Sequence, residues 1–213
     1  DQAADVHGRA EPKALGCVLS IATPQGVVDV ALRVPGRHNA RNALAAAAAA
    51  LAAGATLAAV SGGLTSFAGV KGRLQIRQAV GGALLIDDSY NANPDSVRAA
   101  IDVLAATPGR KILVLGDMGE IGGQAGQFHD EIGGYAKSQG LDLLLALGEH
   151  SELASRNFGA GGQHFESVDA LLAALLPQLG GDTALLVKGS RFMRMERVAD
   201  AVAANGATGN GVH

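Results

Sequence analysis

The chain has 213 residues and a mass of 21.4 kDa, enough for one large domain or two small ones. With 48% hydrophobic and 17% charged residues and a mean hydropathy of +0.20, it is too apolar for a disordered chain. The formal net charge of −3 gives no positive surface for nucleic acid or an anionic membrane, so neither is an expected partner.

Targeting and redox signals are sparse. Cys17 is the only cysteine, which excludes an internal disulfide and is typical of a reducing compartment, so we expect a cytoplasmic protein. The longest apolar run, residues 43–53, is about half of the roughly 20 residues that a spanning helix needs. The amino end lacks the basic, apolar and small-residue segments that follow one another in a signal peptide. Since the chain begins at Asp1 in polar, unpatterned sequence, we expect a piece of a longer protein.

The first third of the chain predicts a hairpin and two helices. Residues 1–13 are charged and aperiodic and predict no element. Two β-rich runs, 14–21 and 27–34, flank a turn sequence at 23–26 and predict a hairpin. The alanine-rich stretch 38–53 predicts a helix that stops at Gly54, and 57–67 predicts a second, shorter helix.

From residue 74 onward strands and helices alternate. The predicted strands are 74–78 and 82–86 as a possible hairpin, 111–115, 141–147, a weak one near 164–165, and 183–187; the predicted helices are 95–106, 127–138, 149–157, 168–179 and 191–203. The continuous apolar strands are typical of parallel strands between two helical layers. The fold class is therefore α/β, with a Rossmann-like, doubly wound, mostly parallel sheet. Residues 206–213 are predicted to be a flexible tail.

Polar side chains follow three of the predicted strands, at 87–94, 116–120 and 188–191. In an open α/β sheet the ligand lies beyond the carboxyl ends of the strands, so we expect these loops to converge. Asp88 could accept a hydrogen bond from a ribose hydroxyl or hold a cation-bound water. The Asp, Ser and Asn residues of the first loop also suit a turn and a helix cap, but their density favours a site.

The sequence Lys188-Gly189-Ser190-Arg191 lies between a buried strand and a predicted helix. Free N–H groups, a helix dipole, a hydroxyl and two cations would meet there, which predicts an anion site. The alternative is a capped helix, with Ser190 as the N-cap and both cations in water.

The start of the alanine-rich helix carries His38, Asn39 and Asn42. His38 and Asn42 are four residues apart and share a helix face. An Asn amide both donates and accepts, as an adenine edge requires. The alternative is that Asn39 caps the helix and His38 is a surface residue.

Asp117 and Glu120 could hold a cation or a substrate amine, or line a turn, and His129 is expected to be a structural histidine. The sequence contains no G-x-x-x-x-G-K-[ST] loop and no G-x-G-x-x-G after a strand. The chain by itself therefore lacks a standard cradle for β- and γ-phosphates and the dinucleotide-binding fingerprint.

Several segments together carry a family resemblance. The sequences PGRHNARNALAA at 35–46, VKGR at 70–73 and DDSYNANP at 87–94 occur in the order found in the ATP-dependent Mur ligases of peptidoglycan synthesis, which the chain resembles from about residue 26 to 203. Within the family, the members that ligate D-alanyl-D-alanine to UDP-N-acetylmuramoyl-tripeptide are the ones that the chain resembles in three motifs: DDSYNAN at 87–93, LGDMGE at 115–120 and KGSR at 188–191.

The resemblance implies a three-domain enzyme of which this chain has two parts. Residues 1–73 would be the end of a central α/β ATP-binding domain, and 74–205 the carboxyl-terminal domain. The phosphate loop, the acid that binds Mg²⁺ and the UDP-sugar domain would lie upstream of Asp1, so we expect no turnover by this chain alone. In the family ATP converts the substrate carboxylate into an acyl phosphate, which the amine then attacks. A monomer is expected.

The resemblance also assigns residues. Asn42 would contact adenine, supported by His38 and Asn39. The two catalytic candidates are Arg73, on an ATP phosphate, and Asp88, on the ribose. Tyr90, Asn91 and Asn93 would lie on the nucleotide side of the cleft. Lys188, Ser190 and Arg191 are assigned to the carboxylate of the dipeptide, on the anion-site argument above more than on a family role.

Three alternatives remain. A phosphoacceptor receiver domain would use Asp87 and Asp88, Asp117 and Lys188. However, receiver domains place the acceptor one strand later than Asp117 lies, and this alternative leaves the 73 residues before the sheet unexplained. Another Mur or folylpolyglutamate-type ligase would add a single amino acid, although such relatives differ at residues 89–92. A nucleotide-binding module without catalysis is the third.

Overall fold

The computed structural model describes residues 4–13 and 15–204. The chain divides into two compact units, Asp1–Gly69 and Val70–His213, which are described separately. The predicted tail at 206–213 lies outside the described residues.

The first unit contains a three-stranded antiparallel sheet in the order β1 (His7–Lys13), β2 (Gly16–Thr23) and β3 (Gly26–Leu32). The predicted hairpin is confirmed, since Thr23 pairs with Gly26 at its turn. The prediction of no element before residue 14 is wrong, because β1 pairs with β2 along its whole length. Six of the seven β1 residues are exposed, so this edge strand carries no hydrophobic pattern that sequence could reveal.

The two predicted helices of this unit are present as α1 (Arg37–Ala52) and α2 (Leu57–Ser66). The buried residues of α1 are Ala40, Ala43 and Ala47, spaced three and four apart on one face. They pack with Leu19, Ile21 and Val30 of the sheet and Val60 of α2. Small side chains on this face bring the helix backbone close to the core.

The second unit contains a six-stranded sheet. Its strands, in chain order, are β4 (Gln75–Gln78), β5 (Leu84–Asp88), β6 (Arg110–Gly116), β7 (Leu143–Leu147), β8 (Gly162–Phe165) and β9 (Thr183–Lys188). In space the order is β4-β5-β9-β6-β7-β8, with β4 antiparallel to β5 and all other pairs parallel.

Helices cover both faces of this sheet. They are α3 (Pro94–Ala105), α4 (Ala125–Ser138), α5 (Ser151–Phe158), α6 (Val168–Leu175) and α7 (Glu196–Val202). One core is built with α3, α4 and α5, and the other with α6 and α7. The predicted doubly wound, mostly parallel α/β fold is confirmed. The receiver alternative is wrong, because β9 lies between β5 and β6, whereas a receiver has the strand order 2-1-3-4-5.

Two predicted helices are shorter than expected. The helix predicted at 168–179 ends at Leu175 and continues as a 3₁₀ turn, because Pro177 cannot donate a helical hydrogen bond. The helix predicted at 191–203 is interrupted: Arg191–Met193 form one 3₁₀ turn, and Arg194 is left-handed, with φ of 52°. The α-helix therefore begins only at Glu196.

The contact between α4 and α5 predicts an unusual effect of one helical glycine. A Cβ at Gly133 would lie 2.0 Å from the backbone oxygen of Ala154, so Gly133→Ala should lower the free energy of unfolding by about 1–3 kcal/mol despite its gain in helix propensity. Urea unfolding followed by tyrosine fluorescence measures it, since the chain has two tyrosines and no tryptophan. Both tyrosines, Tyr90 and Tyr135, lie in the second unit.

The matched control is Gly134→Ala, the next position in the same helix. There the nearest atom is the end of a flexible side chain, Asn157 Nδ2 at 3.0 Å, so stability should stay within about 1 kcal/mol of the parent. Equal effects of the two substitutions would contradict the close helix contact.

Candidate functional site

Three loops meet at the carboxyl edge of the second unit's sheet, as the sequence predicts. They follow β5, β9 and β6, which are neighbours in the sheet. Ser190 joins them: its hydroxyl donates to the Ala92 oxygen at 3.0 Å and accepts the Gly119 N–H at 2.7 Å. Its own N–H donates to the Asp117 oxygen at 3.0 Å. The loops therefore form one connected surface.

A buried ion pair joins the first two of these loops. Asp88 and Lys188 face each other across β5 and β9, and Lys188 Nζ donates to Asp88 Oδ2 at 2.5 Å. The ammonium also donates to the Asn91 oxygen at 3.0 Å, and Asp88 Oδ1 accepts the Leu74 N–H at 3.0 Å. Lys188 is only 2% exposed. Burial of such a pair is tolerated because hydrogen bonds satisfy both partners, and removal of one partner would leave the other charge buried alone.

The helix that predicted an anion site at residues 188–191 and the Ser190 cap of the alternative both differ in the structure. Ser190 makes no side-chain cap bond, and the helical segment after it is a single 3₁₀ turn, so the predicted helix dipole is absent there. Arg191 is 62% exposed and pairs with Glu196 at 3.1 Å. The charge of Lys188 is already balanced by Asp88. The assignment of Lys188, Ser190 and Arg191 to a carboxylate stays a prediction.

Two arginines flank the exposed ring of Tyr90. The guanidinium carbon of Arg73 lies 4.3 Å from the ring centroid and that of Arg191 lies 5.7 Å from it. A ring face attracts cations, and the Tyr90 N–H donates to the Gly72 oxygen at 3.0 Å, which keeps the ring beside the turn that carries Arg73. Two cations at one surface suit an anionic ligand. Each residue was a candidate from sequence, but nothing in the sequence predicts that they share one ring.

Asn93 has the capping role that the sequence left as an alternative. Its side chain accepts the Ser96 N–H at 2.8 Å and the Ser96 hydroxyl accepts the Asn93 N–H at 3.0 Å, a capping box at the start of α3 followed by Pro94. Asn91 is exposed and contributes its backbone oxygen to Lys188. Nucleotide contacts by Asn91 and Asn93 stay predictions.

The remaining nucleotide candidates lie in the first unit, at the start of α1. Asn39 Nδ2 donates to the Pro35 oxygen at 2.6 Å, and His38 and Asn42 are exposed one turn apart. A Cβ at Gly36 would lie 2.7 Å from His38 Cε1, and its φ is 96°, so glycine is required where the His38 ring packs over the helix entry. Adenine binding by these residues stays a prediction.

Asp117 and His129 fix the loop after β6 through hydrogen bonds to backbone N–H groups. The Asp117 carboxylate accepts the N–H groups of His150 at 3.2 Å and Ser151 at 2.8 Å, at the start of α5. His129 is fully buried: its Nδ1 bonds the Ala125 oxygen at 2.6 Å and its Nε2 accepts the Met118 N–H at 2.9 Å. The structural role expected for His129 is confirmed.

Sequence reasoning gave Asp87 a role only in a turn or in the receiver alternative, although the residue is completely buried. It ends an apolar strand run and binds the guanidinium of Arg77 on β4 at 3.1 Å. A carboxylate in a buried strand requires a partner, and this signal could have drawn attention to Arg77 in the preceding strand of the predicted hairpin.

Metal and membrane features were sought in residues 4–13 and 15–204. No group of three or more His, Cys, Asp or Glu side chains there could hold a metal ion. In the same residues no helix is long and apolar enough to cross a membrane.

A sequence profile described as "Mur ligase, glutamate ligase domain" matches residues 72–191, more than half of the chain. The chain belongs to the Mur ligase family. The match includes all three loops of the site.

Within this family the chain is similar to ligases of one specificity. It is 44% identical over 193 residues to the UDP-N-acetylmuramoyl-tripeptide--D-alanyl-D-alanine ligase of Escherichia coli, covering 90% of this chain and 42% of that protein. It is 42% identical over 189 residues to the ligase of the same name from Haemophilus influenzae, covering 86% and 41%. The chain thus spans less than half the length of these relatives.

Solved structures give the same result. A MurF crystal structure from Acinetobacter baumannii matches with a TM-score of 0.87 and 35% identity, over 94% of this chain and 46% of that one. The folylpolyglutamate synthase of Mycobacterium tuberculosis, complexed with ADP, matches with a TM-score of 0.64 and 23% identity. The match covers 90% of this Mur ligase chain and 46% of the synthase, and at this identity it shows a shared fold alone.

The environment of His129 predicts a pH dependence of stability. Burial lowers its pKa below the ordinary value of 6.5, so as the pH falls below 6.5 the unfolded state takes up a proton that the folded state does not. Stability should fall by up to about 1.4 kcal/mol per pH unit until the lowered pKa is reached. Urea unfolding at stepped pH, followed by tyrosine fluorescence, measures this.

In His129→Gln, whose amide oxygen can still accept the Met118 N–H, this pH dependence should disappear. His164→Gln, at a partly exposed histidine of the same unit, should retain it. Parallel pH profiles for the parent and His129→Gln would contradict a neutral, buried His129.

Proposed function

We propose that this chain forms part of an ATP-dependent ligase that joins D-alanyl-D-alanine to UDP-N-acetylmuramoyl-tripeptide in peptidoglycan precursor synthesis. The observation that carries the proposal is the 44% identity, over 90% of this chain, to the E. coli ligase of that name. On this proposal residues 1–73 are the end of the ATP-binding domain and residues 74–205 are the carboxyl-terminal domain, a boundary four residues after the division between the two compact units. The enzyme would be a cytoplasmic monomer that uses Mg²⁺, whose ligands we expect outside the described residues.

The reaction has two steps. The γ-phosphoryl group of ATP passes to the carboxylate of the tripeptide, giving an acyl phosphate and ADP. The amine of the dipeptide attacks the acyl carbon, and the tetrahedral intermediate collapses to the amide with release of phosphate. Phosphoryl transfer depends on positioning and charge neutralisation, which arginines and fixed hydrogen-bond groups provide.

Arg73 and Asp88 would act on the nucleotide. The Arg73 guanidinium, held against Tyr90, would neutralise charge on a phosphate group. Asp88 would accept a ribose hydroxyl, since carboxylate oxygens retain lone pairs beyond those used by Leu74 and Lys188. In the first unit, adenine would meet Asn42, with His38 and Asn39 beside it.

Arg191 would bind the dipeptide carboxylate, because it is the exposed cation of its loop. Ser190 would hold that loop in register with its neighbours through its two hydroxyl bonds. Lys188 and Ser190 were also assigned to this carboxylate, but both are buried, so we propose supporting roles for them instead. Lys188 would fix Asp88, whose carboxylate balances its charge.

Substrate selectivity tests the proposed reaction. In the longest natural protein that contains these residues, ATP-dependent phosphate release should require both UDP-N-acetylmuramoyl-tripeptide and D-alanyl-D-alanine. The 213-residue chain alone should release none. Release with single amino acids would identify a sibling ligase, and nucleotide binding without release would identify a binding module.

The two arginines around Tyr90 provide a matched pair of variants. Arg73→Met should raise the KM for ATP, and Arg191→Met should raise the KM for D-alanyl-D-alanine, each by about 10- to 100-fold, the scale of a lost hydrogen bond to a charged group. Initial rates at varied concentrations of each substrate measure this. If both substitutions changed the same KM, the assignment of separate ligands would fail.

A further inference from the structure

The carboxylate of Asp87 binds the backbone and side chain of the site loop. Its Oδ1 accepts the Ser89 N–H at 3.2 Å and the Ser89 hydroxyl at 2.6 Å. Its Oδ2 accepts Arg77 Nη1 at 3.1 Å. Asp87 is 0% and Ser89 1% exposed. Asp87 therefore connects Arg77 to the residue directly before Tyr90.

The same guanidinium continues the connection to α7 and to the start of the second unit. Arg77 Nη1 also donates to Asp200 Oδ1 at 2.9 Å, and Asp200 Oδ2 accepts Lys71 Nζ at 3.2 Å. Lys71, Asp200, Arg77 and Asp87 alternate in charge, and we call them the ion-pair chain. One of its ends is two residues before Arg73, and the other binds the residue before Tyr90.

The segments at the two ends are the ones that meet in the site. The turn 70–74 and the loop after β5 contact each other through the Arg73 guanidinium on the Tyr90 ring and through two hydrogen bonds, Tyr90 N–H to Gly72 and Leu74 N–H to Asp88. The ion-pair chain spans these contacts and joins both segments to β4, through Arg77, and to α7, through Asp200.

The turn needs such support, because its backbone is left-handed at two positions. Gly72 has a φ of 73° and Leu74 a φ of 49°. The left-handed region is unfavourable for leucine, so the surrounding contacts have to maintain it. A turn that relaxed would move Arg73 away from Tyr90.

We infer that Lys71, Arg77, Asp87 and Asp200 are positioning residues that hold Arg73, Tyr90 and Asp88 in one arrangement for the nucleotide. Their effect on ATP rests on the proposed function. Their effect on the Tyr90 ring does not.

The pKa shifts of Arg77 and Asp200 both favour their charged forms. Burial opposes the charge of Arg77, but its hydrogen bonds with Asp200 and Asp87 outweigh burial and raise its pKa. Burial likewise acts against ionised Asp200, and its bonds with Arg77 and Lys71 lower its pKa overall.

Asp200→Asn tests the inference, since it removes one of the two inner charges of the ion-pair chain, keeps the side-chain shape and lies outside the proposed site. In the longest natural protein it should raise the KM for ATP about three- to tenfold and leave kcat within about twofold. The control is Glu131→Gln, which breaks the ion pair of Arg98 and Glu131 at 2.8 Å between α3 and α4 and should change neither constant. An unchanged KM in Asp200→Asn, or an equal rise in Glu131→Gln, would overturn the inference.

The second measurement needs no ligase activity. In the 213-residue chain with Tyr135→Phe, Tyr90 is the only tyrosine, and its fluorescence reports the loop. Adding Asp200→Asn should raise its acrylamide quenching constant at least about 1.5-fold by loosening the Arg73 contact, while Glu131→Gln should not. An unchanged constant would overturn the inference even if the parent enzyme is active. An inactive parent with increased quenching would instead refute only the proposed function.

Discussion

The buried pair of Lys188 and Asp88 is the interaction on which the site depends. It requires β5 and β9 to be parallel neighbours with these two residues opposite each other, and the sheet order provides this by placing β9 between β5 and β6. An uncompensated charge at this depth would be costly, so the Asn91 oxygen and the Leu74 N–H have to lie within reach. The ion pair thereby fixes the loop after β5 and the turn at the start of the second unit.

Much of the fold could be predicted from the sequence because its signals are local. Apolar runs marked the inner strands, and helical periodicity marked α3 to α6. The order of the strands could not be predicted, since all parallel strands have similar apolar runs. The sequence of β9 therefore does not indicate that β5 and β6 are its neighbours in the sheet. Strand β1 was not predicted, because both of its faces are largely exposed. The helix break at Arg194 was not predicted either, because a left-handed arginine has no sequence signature.

The site was predictable at the level of loops but not of contacts. The carboxyl ends of the strands had to converge, and Ser190 confirms it by bonding both neighbouring loops. Sequence could not decide between capping and binding for Asn93, or show that Lys188 is balanced by Asp88, because each outcome depends on a partner distant along the chain. The anion argument was incomplete for the same reason: the helix it assumed is a single 3₁₀ turn.

The polar residues of the three loops and of the turn 70–74 include a buried group and an exposed group. Asp87, Asp117, Ser190 and Lys188 are buried, and their hydrogen bonds hold the loops together. Arg73, Tyr90, Asn91 and Arg191 are exposed on the surface that those bonds create. Two exposed guanidinium groups beside one ring repel each other, so this arrangement requires fixed groups beneath it. The buried carboxylates of Asp87 and Asp117 provide that fixed geometry, because each accepts hydrogen bonds from the backbone of a neighbouring loop or helix start.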